Sequence, residues 1–301
     1  MFKHILVPID GSPMAEAALP AAVFLAERLN ARVTLMHVIE KNAPAEVHGQ
    51  PHLKNSSDAE RYLSEVATRF FSKGIPVDYH VHTNEVDDVA GSIVEHAEEI
   101  RHDLIVMCSH GRGAALHLFL GSIAQSVIAG GSLPVLVTHP DINGCPPAFF
   151  CRHILIPLDN DPEHNQVLPV SKDLARSCNA SLHLATVIPN VSSLFGERAS
   201  ASKMLPGTTS QILELSVQDA EKHIQDLEDG LRQAGFEASA HVLRGDPAKV
   251  IVKAANKANI DLIVLGTHGK TGMDAFWSGS VTHRICGQSR VPLLLIPVGK
   301  F

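Results

Sequence analysis

Short apolar runs alternate along the chain with longer segments of helical spacing. Residues 5–9, Ile-Leu-Val-Pro-Ile, read as a buried strand. Ser12 and Pro13 then supply an N-cap and a first-turn proline for a helix whose apolar positions are Ala18, Leu19, Ala22, Leu25 and Leu29. The same reading predicts a strand over 33–39, a helix over 58–73 stopped by Gly74, and a strand over 77–83. It continues with a helix over 86–99, a strand over 104–108, a helix over 123–129 and a last strand over 134–137. These strands are apolar at successive positions rather than at alternate ones, so both of their faces are buried. Strand and helix in strict alternation then predict an α/β domain with a parallel sheet covered by helices.

The pattern occurs twice. Lys3-His4-Ile5-Leu6-Val7-Pro8-Ile9-Asp10 matches Arg152-His153-Ile154-Leu155-Ile156-Pro157-Leu158-Asp159 at an offset of 149, which also aligns Asn30-Ala31 with Asn179-Ala180. Asp103-Leu104-Ile105-Val106 matches Asp261-Leu262-Ile263-Val264 at an offset of 158, so the second copy has gained nine residues in between. The segment 189–210, rich in Ser, Gly and Pro, is the expected place for that gain, as a long loop. Pro140, Gly144, Pro146 and Pro147 mark 139–150 as the connection. Two tandem five-stranded, doubly wound, Rossmann-like domains are therefore expected, over 1–142 and 151–301. The 301 residues suit two domains of ordinary size.

Composition narrows the function. A formal net charge of −7 leaves no cationic surplus for phosphate backbones, so nucleic acid is not an expected partner. No apolar run reaches the length of a membrane span, and the first residues show no signal-peptide pattern. Five scattered cysteines without a C-x-x-C pair argue against a disulfide framework and suggest a reducing, cytoplasmic setting.

Ligands of parallel α/β sheets bind beyond the carboxyl ends of the strands, where the strand order reverses. In the second copy the strand Leu262-Ile263-Val264-Leu265 runs into Gly266-Thr267-His268-Gly269, followed by nine residues and Gly279-Ser280-Val281-Thr282. This G-x-x-G-x9-G-S pattern lets the backbone approach a ligand, and it ends at a helix start whose N–H groups favour an anion. It is neither a Walker A loop, since Val264 stands where the first glycine belongs, nor G-x-G-x-x-G. Glycines that only punctuate turns are the plain alternative.

With this loop and the Pro-x-Asp at the end of the first strand, the chain resembles the universal stress proteins, in a tandem form whose second domain is similar to the ATP-binding class. The resemblance implies that Pro157, Asp159 and Val187 hold the adenosine part. It implies further that Leu265, Gly266, His268, Gly269, Gly279, Ser280, Val281 and Thr282 surround the ribose and phosphates. Gly245-Asp246-Pro247 would add a turn at the same edge, and Mg²⁺ would accompany ATP through phosphate oxygens and water. The first copy keeps Pro8, Asp10, Val38, His110, Gly111, Gly121 and Ser122 but has Cys108 in place of the first glycine. Thr83-Asn84-Glu85-Val86-Asp87-Asp88 replaces the Gly-Asp-Pro turn with added carboxylates that repel a triphosphate. The first domain is therefore expected to bind ATP weakly or not at all. The resemblance also implies an internal pair of domains joined through their last strands, with further homodimerisation open.

No general base is assignable, so a regulatory ATP site with at most weak hydrolysis is expected rather than a dedicated enzyme. The alternative is an interaction or carrier protein whose pocket holds an apolar, non-nucleotide ligand. His80-x-His82 places two imidazoles on one face of a strand, but without a third ligand nearby in sequence the pair reads as surface, and no metal site is expected. His110 and His268 read as polar contacts, and Phe276 and Trp277 as loop packing.

Overall fold

The computed structural model describes residues 1–41, 46–47, 50–72, 74–109, 120–141, 145–159, 162–194, 200, 203–268 and 280–298. The chain divides into two compact units.

In the first unit, β1 (His4–Pro8) leads through a 3₁₀ turn (Ala15–Ala18) into α1 (Leu19–Leu29), then β2 (Arg32–Glu40). A two-strand ribbon, β3 (Glu46–Val47) with β4 (Gln50–Pro51), precedes α2 (Ser56–Phe70) and β5 (Val77–Val86). After these come α3 (Val89–Glu99), β6 (Leu104–Cys108), α4 (Ser122–Gly130) and β7 (Val135–Thr138). The main strands lie in the order β7-β6-β1-β2-β5, all parallel. Ile5, Leu6 and Val7 of β1 are almost wholly buried, as are Leu104, Ile105 and Val106 of β6, because helices cover both faces of the sheet. The order reverses between β1 and β6, which sets the crevice at their carboxyl ends.

The second unit repeats the arrangement. β8 (His153–Pro157) is followed by a 3₁₀ turn (Pro162–Gln166), α5 (Val167–Cys178), β9 (Ser181–Ile188) and a further 3₁₀ turn (Val191–Ser193). Then come α6 (Pro206–Gln233), β10 (Ala238–Arg244), α7 (Pro247–Lys257), β11 (Leu262–His268) and α8 (Val281–Cys286). Its strands run β10-β9-β8-β11. The last strand, β12 (Leu293–Val298), belongs to the second repeat in sequence yet clusters with the first unit, where it pairs antiparallel with β7. Leu293, Leu294 and Leu295 lie opposite Val137, Leu136 and Val135, and all six are buried. This pairing covers the edge that β7 would otherwise present.

Several repeated residues have a conformational cause. Asn30 and Asn179 both end their helices in the left-handed region, at φ 50 and 54, and their N–H groups return to Ala26 and Ala175. Asparagine tolerates this conformation better than other L-residues with a Cβ. Asn259 takes the same conformation after α7, whereas its counterpart Arg101 must do so at φ 59 without that tolerance.

Boundaries shift from the sequence expectation where side chains compete for the backbone. Ser12 accepts the Ala15 N–H at 3.1 Å in the turn ahead of the 3₁₀ segment, and the α-helix starts later, at Leu19. The strand over 77–83 continues to Val86, and the following helix starts at Val89 because Asp88 accepts the Gly91 N–H at 2.9 Å. The helix over 58–73 starts earlier, at Ser56, with Asn55 as its cap, and ends at Phe70. The expected loop over 189–210 already contains a 3₁₀ turn and the start of α6, whose first-turn proline is Pro206.

Candidate functional site

In the first unit a cavity of about 340 Å³ opens at the carboxyl ends of β1, β2 and β6. The residues anticipated there, Pro8, Asp10, Val38, Cys108, Gly121 and Ser122, all line it, while His110 and Gly111 lie outside the described residues. The walls are held by short backbone contacts. Asp10 accepts the Ser12 N–H at 2.9 Å, and the Gly121 N–H donates to the Ser109 carbonyl at 2.6 Å. Gly11 sits at φ +88, and a Cβ there would lie 2.9 Å from Leu53 Cδ1, so the turn after β1 needs glycine. His37 bridges the Ile9 carbonyl at 2.9 Å and the Leu53 carbonyl at 3.2 Å, which ties the segment before α2 to the end of β1.

The chemistry of this cavity is mixed. Ile9, Met36, Ile93 and Met107 give it an apolar body, and Asp10, Glu40, Asp87 and Asp88 put four carboxylates on its lining. Their contacts differ: Asp10 accepts the Ser12 N–H, Asp88 caps α3, and Asp87 lies 3.7 Å from Lys41 in an exposed ion pair. Cys108 occupies the end of β6, buried at the cavity wall. Four carboxylates on one lining work against the approach of a polyanion. Glu40 was missed by sequence reasoning, since only the pairing of β2 beside β1 carries it to this edge.

In the second unit the corresponding residues sit on the equivalent strands or just after them. Pro157 ends β8, Asp159 follows it, Val187 lies on β9, and Leu265 and Gly266 lie on β11. Gly266 thus stands where the first unit has Cys108, at the offset of 158. Asp159 is an exposed carboxylate 2.7 Å from His164 Nδ1. Ser280 caps α8 by accepting the His283 N–H at 3.2 Å, and the Thr282 hydroxyl donates to the Gly266 carbonyl at 3.3 Å. The start of α8 is therefore tied to the end of β11. Gly269 and Gly279 lie outside the described residues, as do Phe276 and Trp277, and the side chain of His268 is likewise not described.

The Gly245-Asp246-Pro247 turn is built as the sequence suggests. Gly245 has φ +136, and a Cβ there would meet Val250 Cγ2 at 2.9 Å. Asp246 caps α7 through the Lys249 N–H at 3.0 Å and receives Arg284 Nη2 on both oxygens, at 2.7 and 2.6 Å. Burial works to raise the Asp246 pKa, but the Arg284 guanidinium and the Lys249 N–H outweigh it, and the carboxyl sits below its ordinary range. Arg284 thereby anchors α8 to α7.

The universal stress protein family model matches residues 1–139 and again 151–297. The chain belongs to the universal stress protein family. A universal stress protein of Methanocaldococcus jannaschii is 30% identical over 145 residues, 48% of this chain and 81% of that protein. A tandem-length universal stress protein of Mycobacterium tuberculosis is 24% identical over 298 residues, covering 97% of this chain and 96% of its own. Among solved structures, a universal stress protein from Archaeoglobus fulgidus superposes with a TM-score of 0.71 at 19% identity, over 99% of this chain and 97% of that one. A universal stress protein fold with two repeats in one chain is thus shown. Among the described residues no helix is long and apolar enough to cross a membrane.

Proposed function

We propose that this universal stress protein binds ATP through its second repeat as a regulatory ligand in the stress response. The observation that carries the reading is the tie between Thr282 and the Gly266 carbonyl, together with the Ser280 cap. It fixes both ends of the G-x-x-G-x9-G-S segment and so supports a loop that offers backbone N–H groups to phosphates. The residue types suit a nucleotide: the Ser280 hydroxyl would meet the phosphates, and the exposed Asp159 carboxylate would accept from sugar hydroxyls. Mg²⁺ would be held through phosphate oxygens and water. The ligand acts by binding one state of the protein more tightly than another, which is the only means by which it can shift an equilibrium.

Titration calorimetry of the full chain with ATP and Mg²⁺ tests this. About one ATP per chain is expected for the native protein, and none for Gly279→Asp, which sets a carboxylate among the phosphate donors. Absence of binding to the native chain, or equal binding by the variant, overturns the reading.

The first unit favours a second reading for its own cavity. Its apolar body and four lining carboxylates suit a non-nucleotide ligand with a large apolar part. Mass spectrometry of small molecules released from the purified protein tests it. Recovery of such a molecule, lost in a Met107→Asp variant, is expected; nucleotide displaced from the first cavity would refute it.

A further inference from the structure

Outside both ligand regions, three histidines meet that the sequence leaves apart. β5 is the edge strand of the first unit, and His80 and His82 lie two residues apart on one face of it, in register with Met36 and Val38 of β2. The third, His96, stands in the last turn of α3. Its Nε2 lies 2.7 Å from Nε2 of His80, with the two rings stacked at 4.5 Å between centroids. The His82 ring stands edge-on to His96, at 5.2 Å and 89°. One ligand nitrogen from each of the three falls within 4.8 Å of the others.

We propose that His80, His82 and His96 form a site for a late first-row divalent metal ion, zinc above all, with water as the fourth ligand. Three imidazole nitrogens around a tetrahedral zinc, at 2.0–2.1 Å each, stand roughly 3.3 Å apart. The 2.7 Å between the His80 and His96 nitrogens and the 4.8 Å limit on the other separations bracket that value. Imidazole nitrogen without thiolate suits zinc, copper or nickel rather than calcium or magnesium. Metals take the neutral ring, and the surroundings favour it: burial, followed by the neighbouring histidines, holds His80 and His96 below the ordinary histidine pKa. Glu95 and Glu99 act in the opposite direction on His96, and their charge offsets that of a bound cation.

Such an ion fastens the edge strand to α3. The first residues of that helix, Val89, Ala90 and Ile93, line the cavity of the first unit, so metal occupancy stiffens one wall of that cavity. The inference stands apart from ATP binding in the second repeat.

The test uses the full chain without a histidine tag. Cobalt(II) is expected to give the intense visible bands of tetrahedral coordination, and zinc to displace it at one equivalent. Competition with a chromophoric chelator then gives the zinc affinity. A His80→Gln/His96→Gln double variant is expected to lose at least about 100-fold, while His241→Gln, an exposed histidine elsewhere, keeps native affinity. Circular dichroism and metal-free melting establish that the variants are folded. If the double variant does not fold, the more conservative His82→Gln takes its place. A native chain without tetrahedral cobalt bands, or a folded variant that binds zinc as the native chain does, overturns the proposal.

Discussion

His102 offers a sharp test of how burial controls the acid limit of the first unit. It is 3% exposed, and its ring lies tilted by 35° against that of His4 at 3.8 Å between centroids. Burial first, and then the His4 ring, pushes its pKa down to about 4 from the ordinary 6.5. The unfolded chain therefore binds a proton that the folded chain refuses between those two values, and stability falls as the pH drops through that window. Linkage over that interval gives a loss of about 2 kcal/mol at pH 5 and about 3 kcal/mol below pH 4, with almost none at pH 7.5. Urea unfolding of native protein and a His102→Gln variant at pH 7.5 and pH 5 measures it. His80, His96 and His183 also have lowered pKa values and add to the fall in both proteins, so the difference between the two curves reports His102 together with its coupling to His4. The variant is expected to lose about 2 kcal/mol less than the native chain across the interval. Parallel pH dependences in the two proteins would refute the assignment of a neutral buried ring.

Other substitutions read out different features. Arg101→Gly removes the left-handed strain at φ 59 and is expected to stabilise the chain by about 1 kcal/mol in urea melts. Leu294→Ala empties a site between buried residues of β12 and β7 and should cost about 2–5 kcal/mol. Asp246→Ala removes both the α7 cap and the partner of a half-buried Arg284, for a loss of about 2 kcal/mol by the same assay. Iodoacetamide should label exposed Cys145 in the native state. Cys286, whose thiol burial pushes up to about 12, should react only after unfolding.

Much of this architecture is legible in the residues themselves. Strands buried on both faces write continuous apolar runs, and the repeat makes each one visible twice. Asn30 and Asn179 recur because one left-handed helix end recurs with them. What stays hidden depends on tertiary placement. His96 is sixteen positions from His80, and only the packing of α3 beside the edge strand brings the two rings together. Glu40 reaches the cavity through strand pairing, which no local spacing encodes. The segment 189–210 reads as loop from its Ser, Gly and Pro content, although Pro206 is well suited to the first turn of the helix that starts there.

The pairing of β12 with β7 has a consequence for how the protein is made. Val137 waits for Leu293, 156 positions later in the chain. At a synthesis rate of about 5–20 residues per second, β7 leaves the ribosome on the order of 10–30 seconds before its partner exists. During that interval the first unit carries an open strand edge that a neighbouring nascent chain can occupy. Polysomes are therefore where this fold is most exposed to strand exchange between molecules, and slowing translation downstream of residue 138 should lengthen the hazard rather than relieve it.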